Sequence, residues 1–133
     1  MELSRIEQLI QREILDNQEL DVIAIDKTDI DTFRSAYAQL DARMSMGDCE
    51  DLCALFSNAL TEVRCDNRGK LSGLLFVLKI SPENVTLRAS FMAGIADALN
   101  GLDSDVDVIW GVQRDSALTP DQVKCILLAG FND

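Results

Sequence analysis

The sequence predicts an α/β fold: a two-layer sandwich with a sheet of about four strands and helices packed against it, in the order α-β-α-α-β-α-β-β. Three observations carry this. Stripes of apolar residues at three- and four-residue spacing alternate with short β-branched runs, the pattern of mixed layers rather than a bundle. One run, Gly73 to Ile80 (GLLFVLKI), is almost wholly apolar, which suits a central strand covered on both faces. The chain has 133 residues with only seven Gly and two Pro, so it is long enough for one ordinary domain and shows no linker-like stretch.

The elements follow in order. Residues 3 to 15 read as a helix with Leu3, Ile6, Ile10 and Ile14 on one stripe and Leu9 beside it. Asp16-Asn17 breaks it, and Leu20 to Ile25 (LDVIAI) reads as a strand. Thr28 or Asp29 can cap the next helix, because a short side-chain oxygen satisfies its free backbone N–H groups. That helix places Ile30, Phe33, Tyr37 and Leu40 on one face, and Ser45 to Asp48, around Gly47, reads as a loop. Asp48 caps a third helix with the stripe Leu52, Phe56, Ala59 and Val63. A polar turn at 65–72 leads into the Gly73–Ile80 strand, which Ser81-Pro82 ends. Residues 85 to 100 form a fourth helix facing inward through Leu87, Phe91, Ile95, Ala98 and Leu102, and Asn100-Gly101 stops it. Val106 to Arg114 and Gln122 to Ala129 are the last strands. Their short connection suggests that they pair antiparallel with each other.

Composition removes several function classes. The chain contains no His, so no Ser-His-Asp triad, Cys-His pair or His metal ligand exists in it. Twelve basic and 23 acidic residues give a net charge of −11, which repels polyanions and argues against a nucleic-acid partner. No apolar stretch approaches a membrane span and Met1 to Leu15 has no signal-peptide core, so no membrane insertion is expected and the cytoplasm is the natural setting. Cys49, Cys53, Cys65 and Cys125 lack zinc-site spacing and read as structural thiols; no metal is expected. No two glycines are close enough for a phosphate-cradling loop, so neither a nucleotide nor another cofactor is expected on the isolated chain. Asp103, Asp105 and Asp107 lack the Gly and distal Glu of a calcium loop, and Trp110 reads as sheet packing.

The most suggestive local feature is Ile25-Asp26-Lys27-Thr28-Asp29-Ile30. Two carboxylates stand three residues apart where a strand gives way to a helix, a place where α/β proteins put functional groups. Paired acids there can orient water or a cation. The same acids also fit a plain reading: Asp29 as a helix cap favoured by the helix dipole, and Asp26 as a solvated turn residue.

The final segments, Asp107-Val-Ile-Trp-Gly through Leu118 and Asp121-Gln-Val-Lys-Cys-Ile-Leu-Leu-Ala-Gly-Phe131, resemble the closing strands of the FtsZ C-terminal domain, where a V-I-x-G strand precedes D-E-V-x-V-x-x-x-A-T-G-F. Gly73 to Ile80 with the helix after Pro82, the Asp48–Val63 helix, and Leu20 to Ile30 are similar to that domain's earlier segments in the same order. Leu3 to Leu15 resembles the end of the helix that joins FtsZ's two domains. The resemblance covers residues 1–133 as a single FtsZ C-terminal-like domain and does not extend to the GTP-binding domain. It implies that Asp26 and Asp29 match the acids that act in trans, polarising the attacking water in the nucleotide pocket of the next subunit. Ala24 stands where the family usually has Asn, and Lys27-Thr28 replaces Phe-Ala. The implied partner is an FtsZ- or tubulin-type subunit or a homo-oligomer. Three roles follow: a filament-end cap in cell division or filament assembly, one part of a split GTPase supplying acids in trans, or a repurposed protein-binding module.

Overall fold

The computed structural model describes residues 2–14, 21–23, 25, 27–83, 96–97, 99–102 and 105–132. The apolar stripe of the first segment builds α1 (Glu2–Leu9), continued by one π-helical turn at Ile10–Ile14. Then come β1 (Asp21–Ile23), α2 (Lys27–Ala36), β2 (Gln39–Asp48), a 3₁₀ turn (Cys49–Asp51), α3 (Leu52–Asp66), β3 (Lys70–Ile80), β4 (Asp107–Arg114) and β5 (Gln122–Asn132). Residues 96–97 and 99–100 are helical, the end of the expected fourth helix. Its inward positions Leu87, Phe91, Ile95 and Ala98 lie outside the described residues. No described helix is long and apolar enough to cross a membrane.

The five strands form one mixed sheet in the order β1-β4-β3-β5-β2. β3 is central, and its positions from Leu74 to Ile80 are buried without a break, as its apolar run requires. Side chains alternate across it. Leu74, Phe76, Leu78 and Ile80 meet α3 through Leu52, Phe56, Ala59, Leu60 and Val63. Leu75 and Val77 meet α1 and α2 through Ile6, Ile10, Ile14, Ile30 and Phe33. Helices therefore cover both faces, which adds a layer to the expected sandwich. Phe76 anchors the α3 side: it meets Phe56 edge-on at 4.9 Å and stacks on Trp110 at 6.0 Å, so Trp110 is packing as its place on a strand suggested.

The fold class matches the sequence, and the local differences have physical causes. Leu40 and the expected loop Ser45–Asp48 belong to the fifth strand, β2, which pairs antiparallel with β5 from Gln39↔Phe131 to Asp48↔Gln122. Leu40, Ala42, Met44 and Met46 alternate with Asp41, Arg43, Ser45 and Gly47, a period of two that extends past the helical stripe ending at Phe33. Asp48 consequently ends a strand rather than capping α3. Asp51 occupies the N-cap place of α3 and makes no side-chain cap bond. The last two strands do not pair with each other. β4 is parallel to β3, reached by the long connection 81–106, and β5 pairs antiparallel with β3 on its other side. The turn between them steps over the end of β3, held by Asp115 N–H to the Ile80 carbonyl, Leu118 N–H to the Asp115 carbonyl and Gln122 N–H to the Thr119 carbonyl.

Tyr37 lies across Gly73 and Gly130, which face each other on β3 and β5; a Cβ at either glycine would collide with its ring. Gly73→Ala or Gly130→Ala should cost about 1–3 kcal/mol by overpacking. Each cost should shrink when Tyr37→Ala accompanies it, read as a double-mutant cycle in urea unfolding. Equal costs with and without Tyr37 would contradict this packing.

Candidate functional site

The acid-bearing segment is placed by its apolar neighbours. Ile25, Ile30 and Phe33 are buried beneath α1, which fixes the inward side of α2. Lys27, Thr28 and Asp29 are exposed at its start. The helix begins at Lys27, so neither Thr28 nor Asp29 occupies the N-cap position expected for it. Asp29 is instead a first-turn acid, where the helix dipole favours a negative charge. Asp26 lies outside the described residues.

Two tethers hold the surroundings of this segment. Arg34 on α2 donates from Nε to Glu7 Oε1 on α1 at 3.0 Å and pairs with Glu7 again through Nη2; its Nη1 reaches Asp31 at 3.3 Å. The second tether closes on the π-helical turn. Lys79 on β3 is 3% exposed and donates to Glu13 at 2.9 Å, and Lys124 on β5 reaches the same carboxylate at 3.3 Å. Gln113 on β4, also buried, donates from Nε2 to the Ile14 carbonyl at 3.0 Å. Lys79 faces Gln113 in the parallel register and Lys124 in the antiparallel one, so the three side chains form one row across the sheet. Burial raises the Glu13 carboxyl's pKa, but the hydrogen bond and charge of Lys79, then those of Lys124, outweigh it and hold the group below its ordinary value.

This polar row was not singled out from the sequence. Its signal was Lys79, a charge set inside the apolar run of a central strand, since a buried ammonium demands a carboxylate from elsewhere. Of the other candidates, Asp105 is exposed and pairs with Lys70 at 2.7 Å, and Asp103 lies outside the described residues. Among the described residues, no cluster of three His, Cys, Asp or Glu is placed to hold a metal. Cys53, Cys65 and Cys125 carry free thiols, and burial pushes the Cys125 thiol up to about 12, a structural and unreactive setting.

Glu13→Gln leaves Lys79 buried without its counter-charge and should cost about 3–5 kcal/mol. Lys79→Met removes the buried charge itself and should cost less. Because the folded carboxyl is depressed, its contribution is fully present above pH 4.5 and is lost as pH falls through the folded value. Glu13→Gln should therefore flatten the acid side of the stability–pH curve, measured by urea midpoints between pH 3 and 6. An unchanged acid slope would contradict the pairing.

No protein-family model matches this sequence, and no curated protein does. Solved structures do. A single-site mutant of FtsZ from M. jannaschii superposes with a TM-score of 0.66 at 16% identity, over 96% of this chain and 40% of that one. An empty FtsZ dimer from M. jannaschii gives 0.56 at 18% identity, over 95% and 39%. The chain thus spans about two-fifths of the length of the FtsZ chains it matches. Identities this low establish the fold: it is FtsZ-like and resembles that family's C-terminal domain.

Proposed function

We propose that residues 1–133 act as one FtsZ C-terminal-like domain that interacts with FtsZ- or tubulin-type subunits in filament assembly or cell division, in the cytoplasm. The observation that carries the reading is the FtsZ-like fold with Lys27, Thr28 and Asp29 exposed at the start of α2, next to Asp26 in the sequence. The segment docks onto the nucleotide face of a subunit, where its two carboxylates reach the bound nucleotide's surroundings. These 133 residues contain no glycine-rich phosphate loop, so on their own they offer no second nucleotide face for the next subunit. Added alone, the docked domain ends the filament. Lys27, between the two acids, places an ammonium at the contact and gives the docking a dependence on ionic strength.

The test is sedimentation of GTP-driven M. jannaschii FtsZ polymer with increasing amounts of this chain. Polymer yield should fall at substoichiometric additions, and the chain should appear in the pellet. Asp26→Ala/Asp29→Ala should abolish both effects while leaving the fold's circular dichroism unchanged. Unaltered polymer at stoichiometric excess, or an undiminished effect of the double variant, would refute the docking.

A further inference from the structure

Among the described residues β2 is an edge strand that bonds to β5 alone, and its ten residues run without a bulge. Long regular edges are templates for another strand, and proteins ordinarily blunt them. On the opposite edge the register of β1 (Asp21–Ile23) with β4 shifts within that span. β2 is guarded over half its length. The Ala42 N–H donates to Asp41 Oδ1 at 2.8 Å, and the Ala42 carbonyl accepts from Arg43 Nη1 at 2.8 Å. Both outward backbone groups of Ala42 are therefore taken by neighbouring side chains.

Alternation gives Leu40, Met44, Met46 and Asp48 the same outward direction as Ala42. The Ile80 carbonyl, turned to Asp115 on the β4 side, leads to the same parity when followed across β3, β5 and β2. Met44 and Met46 are also the most exposed large apolar side chains described, at 51% and 58%. α1 covers the sheet face at Leu40 and Ala42, and α3 covers the other face as far as Gly47, beside Leu55. Among the described residues, the outward backbone groups of Met44 and Met46 thus meet no partner, their two apolar side chains are exposed, and the strip carries no charge.

We propose that this strip pairs antiparallel with the same strip of a second copy of the chain, about a two-fold axis at Ser45. In that register Met44 and the second copy's Met46 exchange both backbone hydrogen bonds, and the reciprocal pair does the same. Arg43 faces Gly47 and Asp48 faces Ala42, so no like charges oppose each other along the strand. The four thioethers gather on one face, and the small Ser45 pair lies on the face beneath α3. Self-complementarity selects a second copy over a foreign strand: the strip reads the same in both directions about its centre. Two chains of net charge −11 repel at long range, so the dimer strengthens with salt.

The test is sedimentation equilibrium over a range of protein and salt concentrations. The chain should form a reversible dimer, tighter at higher salt. Met46→Pro removes an outward N–H that β5 does not use, and should weaken association by about tenfold or more. Met44→Lys/Met46→Lys keeps every backbone group and should do the same. In a Cys65→Ser background, Ser45→Cys should oxidise to a linked dimer, because directly opposed residues without a mutual hydrogen bond have Cα atoms about 4.5 Å apart. Asp48→Cys should not. A monomer under all conditions, an unweakened dimer in both methionine variants, or equal cross-linking of the two cysteine variants would overturn the proposal. So would capture of an extended peptide by a chain that stays monomeric, which would assign the edge to that occupant.

Discussion

The fold depends on β3 being buried on both faces. A strand whose positions from Leu74 to Ile80 all exclude water needs a strand on each edge and helices above and below. β4 and β5 supply the edges, α3 covers Phe76 and Leu78, and α1 with α2 covers Leu75 and Val77. The one charge in this run, Lys79, is what binds the layers specifically. An ammonium in that position has to be met by a carboxylate, and Glu13 arrives from the end of α1 to meet it. The hydrophobic effect sets which faces pack; the Lys79–Glu13–Lys124 row sets where along the sheet the end of α1 comes to rest.

Much of the architecture was legible in the sequence. Ile6, Ile10 and Ile14 form the buried stripe that their spacing indicated, and Leu52, Phe56, Ala59 and Val63 do so on α3. What was misread had competing local signals. Tyr37 and Leu40 continue the spacing of Ile30 and Phe33, so the helical spacing runs on through residues that turn at 37–38 and then alternate as a strand. Gly47 suggested a loop, yet it pairs with Val123 within β2, and a Cβ there would press on Leu55. Strand partners were the least legible. The seven-residue connection 115–121 suits a hairpin as well as a step over β3, and the choice rests on β3 having both edges to satisfy.

The candidate site was legible in part. The position of Asp29 at the start of a helix and its exposure followed from local pattern, although the helix begins earlier than the capping rule suggested. The polar row of Glu13, Lys79, Gln113 and Lys124 brings together residues far apart in sequence, and only the sheet register reveals it. The same holds for the unguarded strip of β2, since outward and inward backbone groups are defined by pairing and not by residue type.

The docking of the Asp26/Asp29 segment on an FtsZ-type subunit is tested most directly by residue-resolved amide shifts of the isotope-labelled chain titrated with unlabelled, nucleotide-bound M. jannaschii FtsZ subunit. The account predicts changes concentrated at Lys27 to Ile30 and absent along Met44 to Asp48, and no response in the Asp26→Ala/Asp29→Ala variant. Changes centred on β2 with the start of α2 undisturbed, or no changes at saturating subunit, would contradict it.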